Sequence, residues 1–598
     1  MRVFTCSLAA LLLSSTSAFS AVITNGFVFP DSKLFEGADI EENGNVGSKP
    51  INIGGISTVS SSGFPLSRTF PDGSITVNSI GTNTILRTTD QISVGAAAGE
   101  AFAAGVILGY QFSTGTLSVV GDGTAGSAQV ISNGGINLGT FGKVTRPNGV
   151  GNFELSNGAL ASFKSVDPKD DPVKGGLRAA THEDIGGAGV DEATINISGS
   201  NTRLEADFVD LGNTSTGASA TMTISDGAKV DVNTRITETL VFGDVSVDVP
   251  VDFGSFALNE GSDAIVRDSG SVLRTDDLLV GTFGVFDPGI KSGNTPATLS
   301  IVNGGEVLMA SRSPDANLPT AVVGDGVKGT VIIDGAGSKF NQTDGSLFVG
   351  AVQQLSSSVT TSGEQEAFAG DGKVFVSNGG ALNANKIHVG SNRRVLSGLS
   401  TSEPLPFSAG LLDVSSGGTV TADEIILYNG GTLTGAGGTI VSDVILDGGT
   451  ISPGASPGIL NIFGDLKILS GLLKIEIAGT TLGLYDQINV SGDLITDSGF
   501  DIEISFLDDF VPKVGDTFNF LNIAGVFPAF DPSLIGVSIL GGGSFGNNAL
   551  LDFSGGQLTL ISDDKGIVPV PLPAGLPLLF GGVFLLGLVS RNRHTTTQ

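Results

Sequence analysis

The side chains able to do chemistry are few and far apart. The 598-residue chain has three histidines, His182, His388 and His594, and one cysteine, Cys6. These do not fall at the spacing that closes a zinc site, and there is no P-loop. No catalytic, cofactor-binding or metal residue is therefore assigned, and neither enzyme activity nor a cofactor is expected. His182-Glu183-Asp184 lies in a polar stretch, where an acid–base or metal role would need partners from elsewhere in the chain. His388 alternates with Ile387 and Val389, which predicts a surface position on the opposite strand face. Gly-Asp-Gly occurs at 121–123, 324–326 and 370–372. A carboxylate between two glycines suits a cation-binding turn or an ordinary Asp-Gly turn, and the ordinary turn is the favoured reading.

The elements that would position these residues follow a repeated layout, clearest at Val374–Gly390 (VFVSNGGALNANKIHVG). Val374–Val376 is apolar and β-prone. Asn378-Gly379-Gly380 is a corner, because Asn and Gly tolerate positive φ. Ala381–Asn385 and Ile387–Val389 are two further short extended pieces, and Gly390 closes the unit. Drifted copies occur at Gln129–Gly139, Asn152–Phe163, Thr221–Val232, Thr298–Leu308 and Leu411–Leu433. The apolar-apolar-Gly ending recurs at Leu211-Gly212, Val280-Gly281, Val323-Gly324 and Val349-Gly350. One such unit cannot bury its apolar face alone, whereas a stack of them can. The expected fold is all-β: a right-handed parallel β-helix, a solenoid, with a C-terminal β cap domain and a single C-terminal transmembrane helix. Asn-Gly between apolar runs is also a hairpin signal, so an antiparallel roll or sandwich is the competing reading.

Composition agrees with a turn-rich β protein. Apolar residues make up 40% and include 35 Phe, enough for a sizeable core, and the 89 glycines are consistent with frequent tight turns. The formal net charge is −30, which disfavours nucleic acid and anionic membrane surfaces as partners. The two ends differ from the body: residues 1–20 and 567–598 contain no Asp or Glu.

Met1–Ser20 has the layout of a secretory signal peptide, with Arg2, an apolar core at Leu8–Leu13, and Ala18-Phe19-Ser20 as the small-x-small site. Cleavage by signal peptidase is expected between Ser20 and Ala21, leaving a mature chain without cysteine. At the other end, residues 567–590 carry no charge, Leu576–Val589 is strongly apolar, and Arg591 and Arg593 follow. A membrane helix with the basic anchor Arg591/Arg593 in the cytoplasm is expected. Val570-Pro571-Leu572-Pro573-Ala574, followed by this helix and Arg cluster, resembles the VPLPA-CTERM sorting signal, a variant of the PEP-CTERM tails of Gram-negative bacteria. The resemblance implies processing by an exosortase-type enzyme and passage to the cell surface or extracellular matrix, with exopolysaccharide or surface glycans as possible partners. The repeats resemble those shared by autotransporter (type V secretion) passengers and PEP-CTERM proteins, whose fold is a right-handed parallel β-helix.

The expected organisation is a signal peptide at 1–20 and first rungs or a cap at 21–114. The repeat β-helix follows at 115–463, then a C-terminal β domain at 464–561, a linker at 562–569 and the sorting signal at 570–593. Lys164–Glu192, Phe283–Thr295, Ser311–Pro319, Gln353–Gly370 and Ser391–Ala409 are expected as inserted loops. The function expected is that of an exported structural or adhesion protein, transiently anchored in the inner membrane. The alternative is a β-helical polysaccharide lyase or glycoside hydrolase, which would need carboxylates gathered along one groove with Arg or Lys.

Overall fold

A computed structural model describes residues 21–26, 28–29, 51–53, 73–78, 84–88, 92–94, 113–139, 149–165, 175–180, 192–212, 218–233, 235–242, 245–252, 254–282, 295–309, 321–342, 344–354, 367–390, 408–454, 457–496, 499–528, 535–541, 550–554 and 556–562. Among these residues every regular element is a strand and none is a helix. The chain divides into two compact units, Met1–Thr432 and Leu433–Gln598.

In the first unit, three short strands make one rung, and each strand pairs in parallel with its counterparts in the rungs before and after. The rung Asp371–Ser377, Ala381–Asn383, Lys386–Val389 shows the rule. Val374 lies between Val331 and Leu412, Leu382 between Phe340 and Val420, and Ile387 between Leu347 and Ile425. All nine side chains are at most 1% exposed. Burying each is worth about 1.5–3 kcal/mol, and each needs the neighbouring rung to cover it. The first strand alternates half-buried and buried along its length, as expected when one face is packed and the other wet. The antiparallel reading is thereby set aside: Asn-Gly here joins two sides of one rung instead of returning a strand onto its neighbour.

The corners explain the repeated motif. Asn378 and Gly379 have φ of 52° and 83°, and the equivalent pairs Asn157/Gly158, Asp226/Gly227 and Asn303/Gly304 also take positive φ. The recurrent glycine endings form a second corner, with φ of 81° at Gly212, 74° at Gly281, 77° at Gly324 and 80° at Gly350. At Gly350 a Cβ would lie 2.2 Å from the carbonyl oxygen of Ala409, so the approach of the next rung also requires the missing side chain. At the start of the stack, Ala21–Gly26 pairs antiparallel with Gly73–Asn78, satisfying an edge that would otherwise be open.

Some sequence expectations are corrected. Lys164–Glu192 is not wholly an insert: Leu177–Ala179 within it is the third strand of a rung, in register with Ile136–Leu138 and Val209–Leu211. Conversely, Arg235–Phe242 and Val245–Asp252 form an antiparallel hairpin that sequence did not single out, placed between the second and third strands of its rung. His388 is not on the surface. It is 5% exposed, because the outward row of the third side is itself packed: register places Leu279, Val322, Phe348 and His388 in one line across successive rungs. Strand alternation gives the direction of His388 correctly but says nothing of what covers that direction.

The second unit repeats the principle with longer strands. Ile459–Ile462 pairs in parallel with Gln487–Val490, which pairs with Leu521–Ile523. Leu466–Ile477 pairs with both Leu494–Thr496 and Phe500–Phe506, and the latter with Ile535–Gly541. Leu473, Ile475, Ile477, Ile488 and Val490 face inward and are at most 2% exposed. Thr517–Asn519, Leu550–Ser554 and Gln557–Ser562 form a small antiparallel sheet. There Phe518 packs edge-on against Tyr485 and Phe510, with centroids 5.8 and 6.3 Å away. Asp486 is fully buried and accepts hydrogen bonds from the backbone N–H groups of Gly458 and Glu476, at 2.6 and 2.8 Å.

Candidate ligand-binding groove

Parallel register lines up identical side chains, and in the second unit it lines up amides. Along Ile459–Ile462, Gln487–Val490 and Leu521–Ile523 the side chains of Leu460, Ile462, Ile488, Val490 and Leu521 are buried, leaving Asn461, Asn489 and Asn522 outward and opposite one another. Asn489 donates from Nδ2 to Asn461 Oδ1 at 2.9 Å, and Asn522 donates to Asn489 Oδ1 at 2.9 Å. Asn461 Nδ2 in turn reaches the carbonyl of Gly438 at 3.4 Å. A primary amide has two N–H donors and a carbonyl with two lone pairs, so the ladder leaves hydrogen-bonding capacity on its solvent side.

This ladder is the floor of an open groove of about 610 Å³. Phe463 and Phe527 line it together with Ser491 and Asn519, and Phe463 is 54% exposed. Asn519 is held by a hydrogen bond from Gln557 Nε2 to its Oδ1 at 2.7 Å. A second ladder lies just beyond these strands in sequence, with Asp443 inside Thr439–Ser452 and Asp465 and Asp493 in the short links that follow Ile462 and Val490. Asp443, Asp465 and Asp493 accept the backbone N–H of Asp465, Asp493 and Val526, respectively, at 2.9, 2.8 and 2.7 Å. These bonds tie successive rungs to one another and put stacked negative charge beside the groove. The arrangement offers amide donors and acceptors along a line, aromatic surface at its margin, and a negative border.

The first unit holds its charged groups differently. Asp231, 6% exposed, receives Arg203 Nε at 2.8 Å and Arg274 Nη1 at 3.3 Å. Asp210 accepts Asn259 Nδ2 at 2.6 Å, and burial pushes its carboxyl up to about 6 against that hydrogen bond and the nearby Arg178. The three Gly-Asp-Gly segments take three roles. Asp122 accepts the backbone N–H of Thr124 at 2.9 Å, closing a local turn. Asp371 begins a strand. Asp325 is 2% exposed, and burial pushes its carboxyl up to about 7, opposed only by the Thr282 hydroxyl 3.5 Å away. Among the described residues no three His, Cys, Asp or Glu side chains gather as a metal site.

Of the processing residues expected from sequence, Ala21 begins the strand Ala21–Gly26. Ser20, the motif Val570, Pro571, Leu572, Pro573 and Ala574, and Arg591 and Arg593 lie outside the described residues, as do His182 and His594. No helix among the described residues is long and apolar enough to cross a membrane, and the expected span lies outside them. The groove was missed because its three asparagines are separated by 28 and 33 residues. The available signal was the shared context Leu-Asn-Ile or Ile-Asn-Val at 460–462, 488–490 and 521–523. No protein-family model matches the chain, and a search of curated proteins finds no significant match.

Proposed function

We propose that the protein is an exported structural or adhesion protein of the cell surface or extracellular matrix, acting by presenting a stacked β scaffold and not by turnover. The observation that carries this reading is the stack itself. Short parallel rungs, each covering the apolar face of the next, make a scaffold whose outer face is free to vary, which suits surface presentation. The signal-peptide layout before Ala21 and the VPLPA-type tail supply the route. Signal peptidase cuts between Ser20 and Ala21. The helix following Ala574, with Arg591 and Arg593 on the cytoplasmic side, then holds the chain at the inner membrane until an exosortase-type enzyme processes the Val570–Ala574 region. In this reading the rungs coil in the right-handed sense.

Mass spectrometry of the protein recovered from membranes, cell surface and medium tests the proposal. The expected result is a chain that begins at Ala21 and lacks the apolar tail in the surface or medium fraction. An intact tail retained wholly in the inner membrane would contradict it.

A further inference from the structure

We propose that the groove over Asn461, Asn489 and Asn522 binds a strand of uncharged polysaccharide. The proposal rests on the exported reading for its biological setting, while its argument comes from the groove alone. The ladder spans two rung steps, about 10 Å, so it presents a line of amides and not a single polar point. Each amide keeps donor capacity toward the solvent side once the ladder bonds are counted. A ligand that filled the groove with apolar atoms would strand those amides. A polymer carrying hydroxyls along its length meets them with both donors and acceptors, and its C–H faces can lie on the rings of Phe463 and Phe527.

Charge narrows the choice. Asp465 and Asp493 stand in the links beside the groove, and the whole chain carries −30, so carboxylated or sulfated chains are repelled. An added peptide strand would need a free backbone edge, whereas this floor is the side-chain face of a sheet whose central strand, Gln487–Val490, is paired on both sides.

The test is affinity electrophoresis of the purified full chain through gels containing dextran, mannan or a soluble cellulose derivative without charge, with alginate as the anionic comparison. Retardation is expected in at least one uncharged polymer, unchanged by high salt, and absent in alginate. Phe463→Ala, at an exposed position, should weaken binding by about tenfold, and Asn489→Leu should do the same with the fold checked by circular dichroism. Asn383→Ala, which breaks the outward amide pair with Asn341 in the first unit, should leave binding unchanged. No retardation in any uncharged polymer, preference for alginate, or binding indifferent to Phe463→Ala would overturn the proposal. So would self-association abolished by Phe463→Ala without glycan, which would make a second copy the occupant. A chain that binds glycan yet keeps its tail in the inner membrane would overturn only the sorting reading.

Discussion

The imidazole of His388 lies flat against the ring of Phe348, with centroids 4.6 Å apart and planes 12° apart. On its other side it stacks on Tyr428 at 5.9 Å, and its Nδ1 is 3.1 Å from the tyrosine hydroxyl. Three successive rungs thus contribute one ring each to a column on the third side. His388→Ala should lower unfolding stability by about 2–5 kcal/mol, the span for truncating a large packed side chain to alanine. His388→Phe keeps the column and loses the hydrogen bond, so its cost should be nearer 1 kcal/mol. Chemical denaturation of the three chains checks the order, and an alanine variant as stable as the parent would show that the column carries no load.

Two glycines separate backbone conformation from space. Gly350 and Gly417 have nearly equal φ, 80° and 79°, but a Cβ at Gly350 meets the Ala409 carbonyl at 2.2 Å while one at Gly417 meets nothing within 4 Å. Gly417→Ala should cost about 1–2 kcal/mol, the strain of a left-handed alanine. Gly350→Ala should cost clearly more, because the next rung must also move. Equal losses in thermal melts would mean that rung spacing at the second corner is looser than the structure has it.

Asp325 makes stability depend on pH in a stated direction. Burial raises its folded-state carboxyl from 3.8 to about 7. As pH rises from about 4, the unfolded chain releases this proton first, so the folded state holds a proton the unfolded chain lacks. Its contribution to stability therefore declines between about pH 4 and 7 and levels off above. Asp325→Asn should be more stable than the parent at pH 8, by on the order of 1–4 kcal/mol, with the difference vanishing near pH 4. Melting curves across that range check this. A gain that is the same at both pH values would show that the carboxyl does not titrate there.

What could be read from the chain was local. Asn378-Gly379 and the apolar-Gly endings announce corners, since few residues accept those angles, and Val374, Leu382 and Ile387 announce an inward row. What could not be read depends on which rung lies next. Leu177–Ala179 is only three residues long and sits in a polar stretch, so it becomes a strand only because Ile136–Leu138 and Val209–Leu211 flank it. His388 is buried by rings 40 residues away on each side of it in sequence: Phe348 before and Tyr428 after. The asparagine ladder similarly exists only in register, because unequal rung lengths hide it from any fixed period.

Parallel, in-register stacking of the rungs is the central claim, and spin labelling tests it most directly. Thr330 and Lys373 are half-buried, outward-facing partners on adjacent rungs, about 4.8 Å apart along the stack. Cysteines are placed at both positions in a Cys6→Ser chain, labelled, and observed by continuous-wave electron paramagnetic resonance. The account predicts strong spin–spin broadening in the doubly labelled chain. A spectrum equal to the sum of the two singly labelled chains would contradict it.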